Sequence, residues 1–130
     1  MPTIGLKKQL GCGYDDALGR VTAALKAEGF GVLTTVDVKQ TLKEKLNVDF
    51  RRYTILGACN PPIAHSALSL ELAFGTMMPC NVVVYEGDDA KAVVIAVDPT
   101  QSIAMQLGPQ GVALATQVRD KLAAALEKVS

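Results

Sequence analysis

The sequence predicts an α+β domain with α/β-like alternation, built as a two-layer sandwich of helices on a mixed sheet, with a β-hairpin in its C-terminal half. Three observations predict this. Apolar residues switch repeatedly between a helical period and a period of two. Asparagine or aspartate directly precedes proline at Asn60-Pro61-Pro62 and Asp98-Pro99, a pairing that starts helices. Two valine-rich runs flank the polar turn Glu86-Gly87-Asp88-Asp89. With 130 residues and no repeat, linker or low-complexity tract, residues 1–130 are expected to form a single domain.

The elements follow in order. A short strand is expected around Thr3 to Lys8, ended by Gly11-Cys12-Gly13. Tyr14, Leu18, Val21 and Leu25 recur at helical spacing, and Gly29 stands where a helix C-terminus favours glycine. From Phe30 the period becomes two, with Phe30, Val32, Val36 and Val38 on one face. Asp37 with Gln40 three residues on is a capping pattern for a short helix carrying Val38, Leu42 and Leu46. A strand from about Arg52 to Cys59 leads into the Asn60-Pro61-Pro62 start of a further helix. Its expected inner stripe is Ile63, Ala67, Leu70 and Phe74, ending at Gly75. The hairpin pairs Cys80 to Tyr85 with Ala92 to Val97, and both strands are apolar on both faces. Such strands are either covered on two sides or completed by a second subunit. Asp98-Pro99 opens a short helix through Leu107, Gly108-Pro109 breaks it, and a last helix runs from Gly111 to Lys128.

Composition excludes several classes of function. The 13 Lys and Arg balance 13 Asp and Glu, so the chain lacks the basic field that nucleic-acid binding requires. Three Tyr and three Phe, without basic residues between them, offer no base-stacking platform. No run of about 18 apolar residues exists, which predicts no transmembrane helix and no membrane partner. The first eight residues lack the apolar core of a signal peptide. Three cysteines, an odd number, suit reduced thiols, and a cytoplasmic location is expected.

There is no Walker loop, dinucleotide fingerprint, nucleophile elbow or HExxH. Gly11-Cys12-Gly13 lacks the Lys-Ser/Thr of a phosphate loop and reads as a plain turn. Arg51-Arg52 reads as a solvated basic pair, and Asp98 as a helix cap. Met77-Met78 offers two thioethers, which more usually fill gaps. The chemically informative stretch is Gly57 to His65. It places Cys59 between a strand end and a helix N-terminus, where the helix dipole and free amides stabilise a thiolate. His65, the only histidine, projects with Leu68, Ser69 and Leu72, away from the apolar stripe.

Cys59, Asn60, His65, Cys80 and Asn81 are therefore the candidate ligand-binding residues, and Cys59 and His65 the candidate catalytic pair. Cys59, His65 and Cys80 are the candidate ligands for Zn²⁺ or copper. In a parallel crossover Cys59 and Cys80 would lie at opposite ends of the sheet, on the order of 20 Å apart for strands of about six residues. The set closes only with an oblique helix, antiparallel strands or a second subunit. Three readings stay open: a module that binds a small ligand or soft metal, a thiol enzyme or redox protein using Cys59 with His65, and a structural or interaction protein with inert cysteines.

Several blocks also resemble one family: Glu28 to Leu33, Asp37 to Leu46, Leu56 to His65, and Pro79 to Val84. Together they are similar to the domain-of-unknown-function 302 family, most distinctively in the Cys-Asn-Pro-Pro…His and Pro-Cys-Asn blocks. The resemblance runs from about the first helix to Asp98-Pro99. It implies a compact two-layer α/β domain and a homodimer, and it implies no settled activity.

Overall fold

The computed structural model describes residues 2–130. The chain forms β1 (Leu6–Gln9), α1 (Tyr14–Ala27), β2 (Gly31–Asp37), α2 (Val38–Leu46), β3 (Tyr53–Cys59) and α3 (Pro61–Leu70). A 3-10 segment, Leu72–Met77, precedes the hairpin strands β4 (Cys80–Glu86) and β5 (Ala92–Ala96). Two further 3-10 turns, Pro99–Gln101 and Ile103–Gln106, lead into α4 (Gly108–Glu127). The α+β two-layer sandwich is present.

The expected mixed sheet is corrected: the sheet is antiparallel throughout, in the order β1-β5-β4-β3-β2. Its physical reason lies in the connections. β2, β3, β4 and β5 are sequential neighbours, so α2 and α3 are excursions at strand ends and not crossovers between parallel strands. Only β1 travels, to pair with β5 at the far edge.

One face of the sheet carries the core. Leu56, Val82, Val84 and Val94 are buried there against Val21 and Leu25 of α1 and Leu122 and Ala125 of α4. Thr54 is the buried polar residue of that face, and its hydroxyl is satisfied by the Tyr14 hydroxyl. On the opposite face the register aligns two apolar rows across the strands. The first is Ile95, Val83, Ile55 and Val36, with Lys7 at its β1 end; the second is Val93, Tyr85 and Tyr53. The rings of Tyr53 and Tyr85 stack with centroids 5.4 Å apart. Apart from Val93 these residues are half-buried or exposed, and none belongs to the main core.

Local chemistry sets the element ends. Asp37 caps α2, accepting from the Gln40 amide at 2.9 Å. The helix expected to run to Gly75 ends at Leu70, because Glu71 turns to extended backbone and the chain re-forms as a 3-10 segment. Leu70 is consequently exposed while Phe74 stays buried. The single helix expected from Asp98 to Leu107 is two 3-10 turns, since Ser102 is extended and caps the second by accepting from the Ala104 amide. The last helix starts at Gly108, not Gly111, because Pro109 occupies the first turn, where its missing N–H is tolerated.

Candidate functional site

The antiparallel arrangement decides where the cysteines sit. Cys59 ends β3 and Cys80 begins β4, and the register pairs Ala58 with Cys80. Two residues 21 positions apart in the chain therefore share one end of the sheet. Both line an apolar cavity of about 280 Å³. Its walls come from the β3 and β4 ends, from Ile63 and Ala67 of α3, and from Phe74, Met77 and Met78. Ala104 and Leu114 close it from the α4 side.

Close approach shapes this end of the sheet. A Cβ on Gly57 would stand 2.1 Å from Thr34 Oγ1 and 2.7 Å from Pro79 Cγ, so only glycine lets β2 and the cis Met78–Pro79 segment pack over β3. Gly111 performs the same service on α4, where a Cβ would lie 2.5 Å from the Ala104 carbonyl oxygen.

Asn60 lines the cavity, yet both ends of its amide are engaged in the fold. Its Oδ1 accepts from the Ile63 amide and its Nδ2 donates to the Glu28 carbonyl, each at 3.4 Å. The residue thus starts α3 and ties it to the end of α1. Gly29, at φ +87, leaves the room Asn60 needs: a Cβ there would lie 2.9 Å from Nδ2.

Of the predicted site residues, the structure brings together Cys59, Asn60 and Cys80. His65 is exposed on α3 and does not line the cavity, and Asn81 points to the other sheet face opposite Gly57. Within the chain, the candidate metal ligands Cys59, His65 and Cys80 therefore do not come together as one set. Among the described residues no three His, Cys, Asp or Glu side chains are grouped to hold a metal ion. The helical angle that turns His65 away from the Ile63–Ala67 stripe is the cause. All three cysteines are free thiols.

The electrostatics favour a neutral wall. Burial pushes the Cys80 thiol up to about 11, with a further rise from the neighbouring Cys59 charge. At neutral pH that sulfur is protonated and weakly nucleophilic. Behind the site, Asp98 is nearly buried. Burial alone would raise its carboxyl, but hydrogen bonds from Thr100 and Arg119 outweigh that and hold it below the usual range.

Reading the sequence missed Phe74, Met77, Met78, Ala104 and Leu114 as members of one wall. They come from three separate segments, and only the adjacent Met77-Met78 pair offered a local cue, since flexible thioethers line adaptable binding surfaces.

The family model described as "Domain of unknown function DUF302" matches residues 6–129. The crystal structure of an uncharacterized conserved DUF302 protein from Bacillus stearothermophilus superposes with a TM-score of 0.90 and 30% identity. The match covers 99% of this chain and 100% of that one. No curated protein is significantly similar. Among the described residues, no helix is long and apolar enough to cross a membrane.

Proposed function

This chain belongs to the DUF302 family, and from that premise we propose that it is a small-ligand-binding module whose ligand is uncharged and mainly apolar. The observation that carries the reading is the cavity itself: about 280 Å³ of space walled by aliphatic, aromatic and sulfur-bearing side chains. An apolar cavity of roughly 150 Å³ takes up one benzene. The space here suits a bicyclic aromatic or a medium-length alkyl chain. Its two polar lining residues are committed within the fold, Asn60 to capping α3 and Ser102 to the Pro99 carbonyl and the Ala104 amide. A charged ligand would meet no compensating group, and the raised Cys80 thiol adds none at neutral pH.

The test is titration with the uncharged dye N-phenyl-1-naphthylamine, followed by its displacement with 1-decanol. Saturable emission at one dye per chain, lost on adding decanol, supports the reading. Emission that stays at the level of free dye up to its solubility limit refutes it.

A second reading rests on a separate observation: two thiols and two thioethers, from Cys59, Cys80, Met77 and Met78, line the same cavity. Soft sulfur donors select Cu(I) over harder ions. Under this reading the chain takes one Cu(I) in competition with a chromogenic chelator under anaerobic, reducing conditions. Cys59→Ser and Met77→Leu each weaken that binding. The three unpaired thiols support a reducing compartment under either reading.

A further inference from the structure

Two stretches of 3-10 backbone wall the cavity, and they are held in place by different means. The stretch after β5 is tied to other parts of the fold. Asp98 pairs with Arg119 of α4 at 3.2 Å, and the Val97 amide donates to the Asn81 carbonyl of β4. The Gln101 side chain accepts from the Gly5 amide and donates to the Thr3 carbonyl, both at 2.9 Å. The stretch before β4, Leu72–Met77, has no such ties. Among the described residues the last hydrogen bond to a neighbouring element runs from the Glu71 amide to the Ala67 carbonyl. Beyond it, the Phe74 amide donates to Glu71, the Met78 amide to Gly75 and the Thr76 hydroxyl to Ala73, all within the segment and its ends. What holds the segment down is apolar contact. Phe74 is 6% exposed and Met77 is half-buried, whereas Leu72, Ala73, Gly75 and Thr76 are exposed.

We propose that Leu72–Met77 is a hinged strap that lifts to admit ligand to the cavity, with the Phe74 ring as its latch; the proposal rests on the binding reading above. Glu71 at one end and Met78 at the other are both extended, so each can absorb a backbone rotation outside any helix. Short 3-10 runs also carry poorer hydrogen-bond geometry than an α-helix, which lowers the cost of unwinding this one. Lifting breaks no hydrogen bond to α1, α4 or the sheet and uncovers one ring and part of a thioether. It therefore proceeds at a free energy well below that of global unfolding. The main core is untouched, because Phe74 belongs to the small cluster with Ala67, Ala104 and Ala115 and not to the cluster between the sheet, α1 and α4. The wall pinned by Asp98 and Arg119 stays in place and keeps the shape of the site. A closed strap shields an apolar ligand from water, so entry and release both pass through the lifted state.

Stopped-flow fluorescence with N-phenyl-1-naphthylamine, on wild type, Gly75→Ala and Phe74→Ala, reads entry and release separately. Gly75 lies outside the left-handed region, and a Cβ there meets only Leu68 Cδ2 at 3.8 Å. Alanine thus fits the closed strap and restricts only the lifted one. It is expected to slow association and dissociation alike by about two- to fivefold, with Kd unchanged. Phe74→Ala releases the latch and is expected to speed both by at least about tenfold. Loss of a wall contact alone would speed release and leave entry as it was. Circular dichroism establishes that the variants are folded, and the exposed Gly75→Ala decides the matter where Phe74→Ala fails to fold. Hydrogen exchange of the ligand-free protein is expected to show the Phe74 and Met78 amides exchanging at least about a hundredfold faster than those of β4. Entry rates that the folded variants leave unchanged, or strap amides as protected as those of β4, overturn the strap while the binding site stands. Dye that gives no saturable emission refutes the binding reading, and the strap's role falls with it.

Discussion

Substituting Ala67 by leucine separates an empty cavity from a filled wall. Ala67 is buried on α3 and lines the cavity, so its side chain can grow only into that space or into its neighbours. Leucine adds three carbon atoms. At about 0.8 kcal/mol per buried methylene, complete accommodation stabilises the fold by up to about 2.4 kcal/mol, less a few tenths for helix propensity. For a chain of this length about 1 kcal/mol moves Tm by roughly 4 °C, so the expected rise is about 6–9 °C. Were the space already filled, overpacking would cost about 1–3 kcal/mol and Tm would fall instead. The two cases differ in sign, which makes the result decisive. Differential scanning calorimetry reads the stability, and dye titration on the same sample reads the site. The expected outcome is a more stable protein that binds N-phenyl-1-naphthylamine at least about tenfold more weakly. A lower Tm refutes the cavity. An unchanged dye affinity with a higher Tm refutes its role in binding.

Other perturbations address the surrounding chemistry. With the Cys80 thiol raised to about 11, the folded state retains a proton that the unfolded chain loses near pH 8.5, so stability falls as pH rises between those values. Cys80→Ala removes that part of the alkaline decline in urea-unfolding series. In wild type, Cys80 should alkylate about a hundredfold more slowly at pH 8 than a free thiol, as mass spectrometry of the labelled peptide would show. Asp98 has a depressed carboxyl, so its contribution is present above the unfolded value near pH 4 and is lost as pH falls through the folded one. Asp98→Ala removes both the Thr100 cap and the Arg119 partner. It should cost about 1–3 kcal/mol at pH 7 and progressively less as pH falls from the unfolded value through the folded one, measured by denaturant unfolding across an acid pH series. Gly57→Ala should cost about 1–3 kcal/mol, because its Cβ meets Thr34 Oγ1 and Pro79 Cγ, and adding Thr34→Ala should recover part of that loss.

Much of the fold was legible in local patterns. The period changes located four helices and five strands, and Asp37 and Asn60 cap the helices their sequence context indicated. Sheet direction was not legible, because a helix between two strands looks the same whether it crosses over or returns. That ambiguity hid the site. In a parallel reading Cys59 and Cys80 lie far apart, whereas the antiparallel register sets Cys80 beside Ala58. Helical angle correctly turned His65 away from the apolar stripe, yet its closeness in sequence to Cys59 still drew it into the candidate set. The α3 stripe failed at Leu70 for a different reason. The 3.6-residue period persisted past Glu71, where the backbone had already left the helix. Phe74, Met77, Ala104 and Leu114 converge only through tertiary packing, and no local spacing encodes that meeting.

The arm formed by β2 and α2 has a bearing on how the molecule breathes. From Gly31 to Arg52 not one side chain is fully buried, and α2 leans on its neighbours through half-buried Val38 and Leu42 alone. Opening this arm forfeits the β2–β3 ladder but little apolar burial, so it should detach at a free energy well below that of global unfolding. Amide protons of β2 would then exchange through this partial opening, while those of β4 and β5 wait for the whole domain. The arm also borders the uncovered sheet face. Whatever settles on that face acts as a clamp, slowing exchange along β2 without altering a contact in the core.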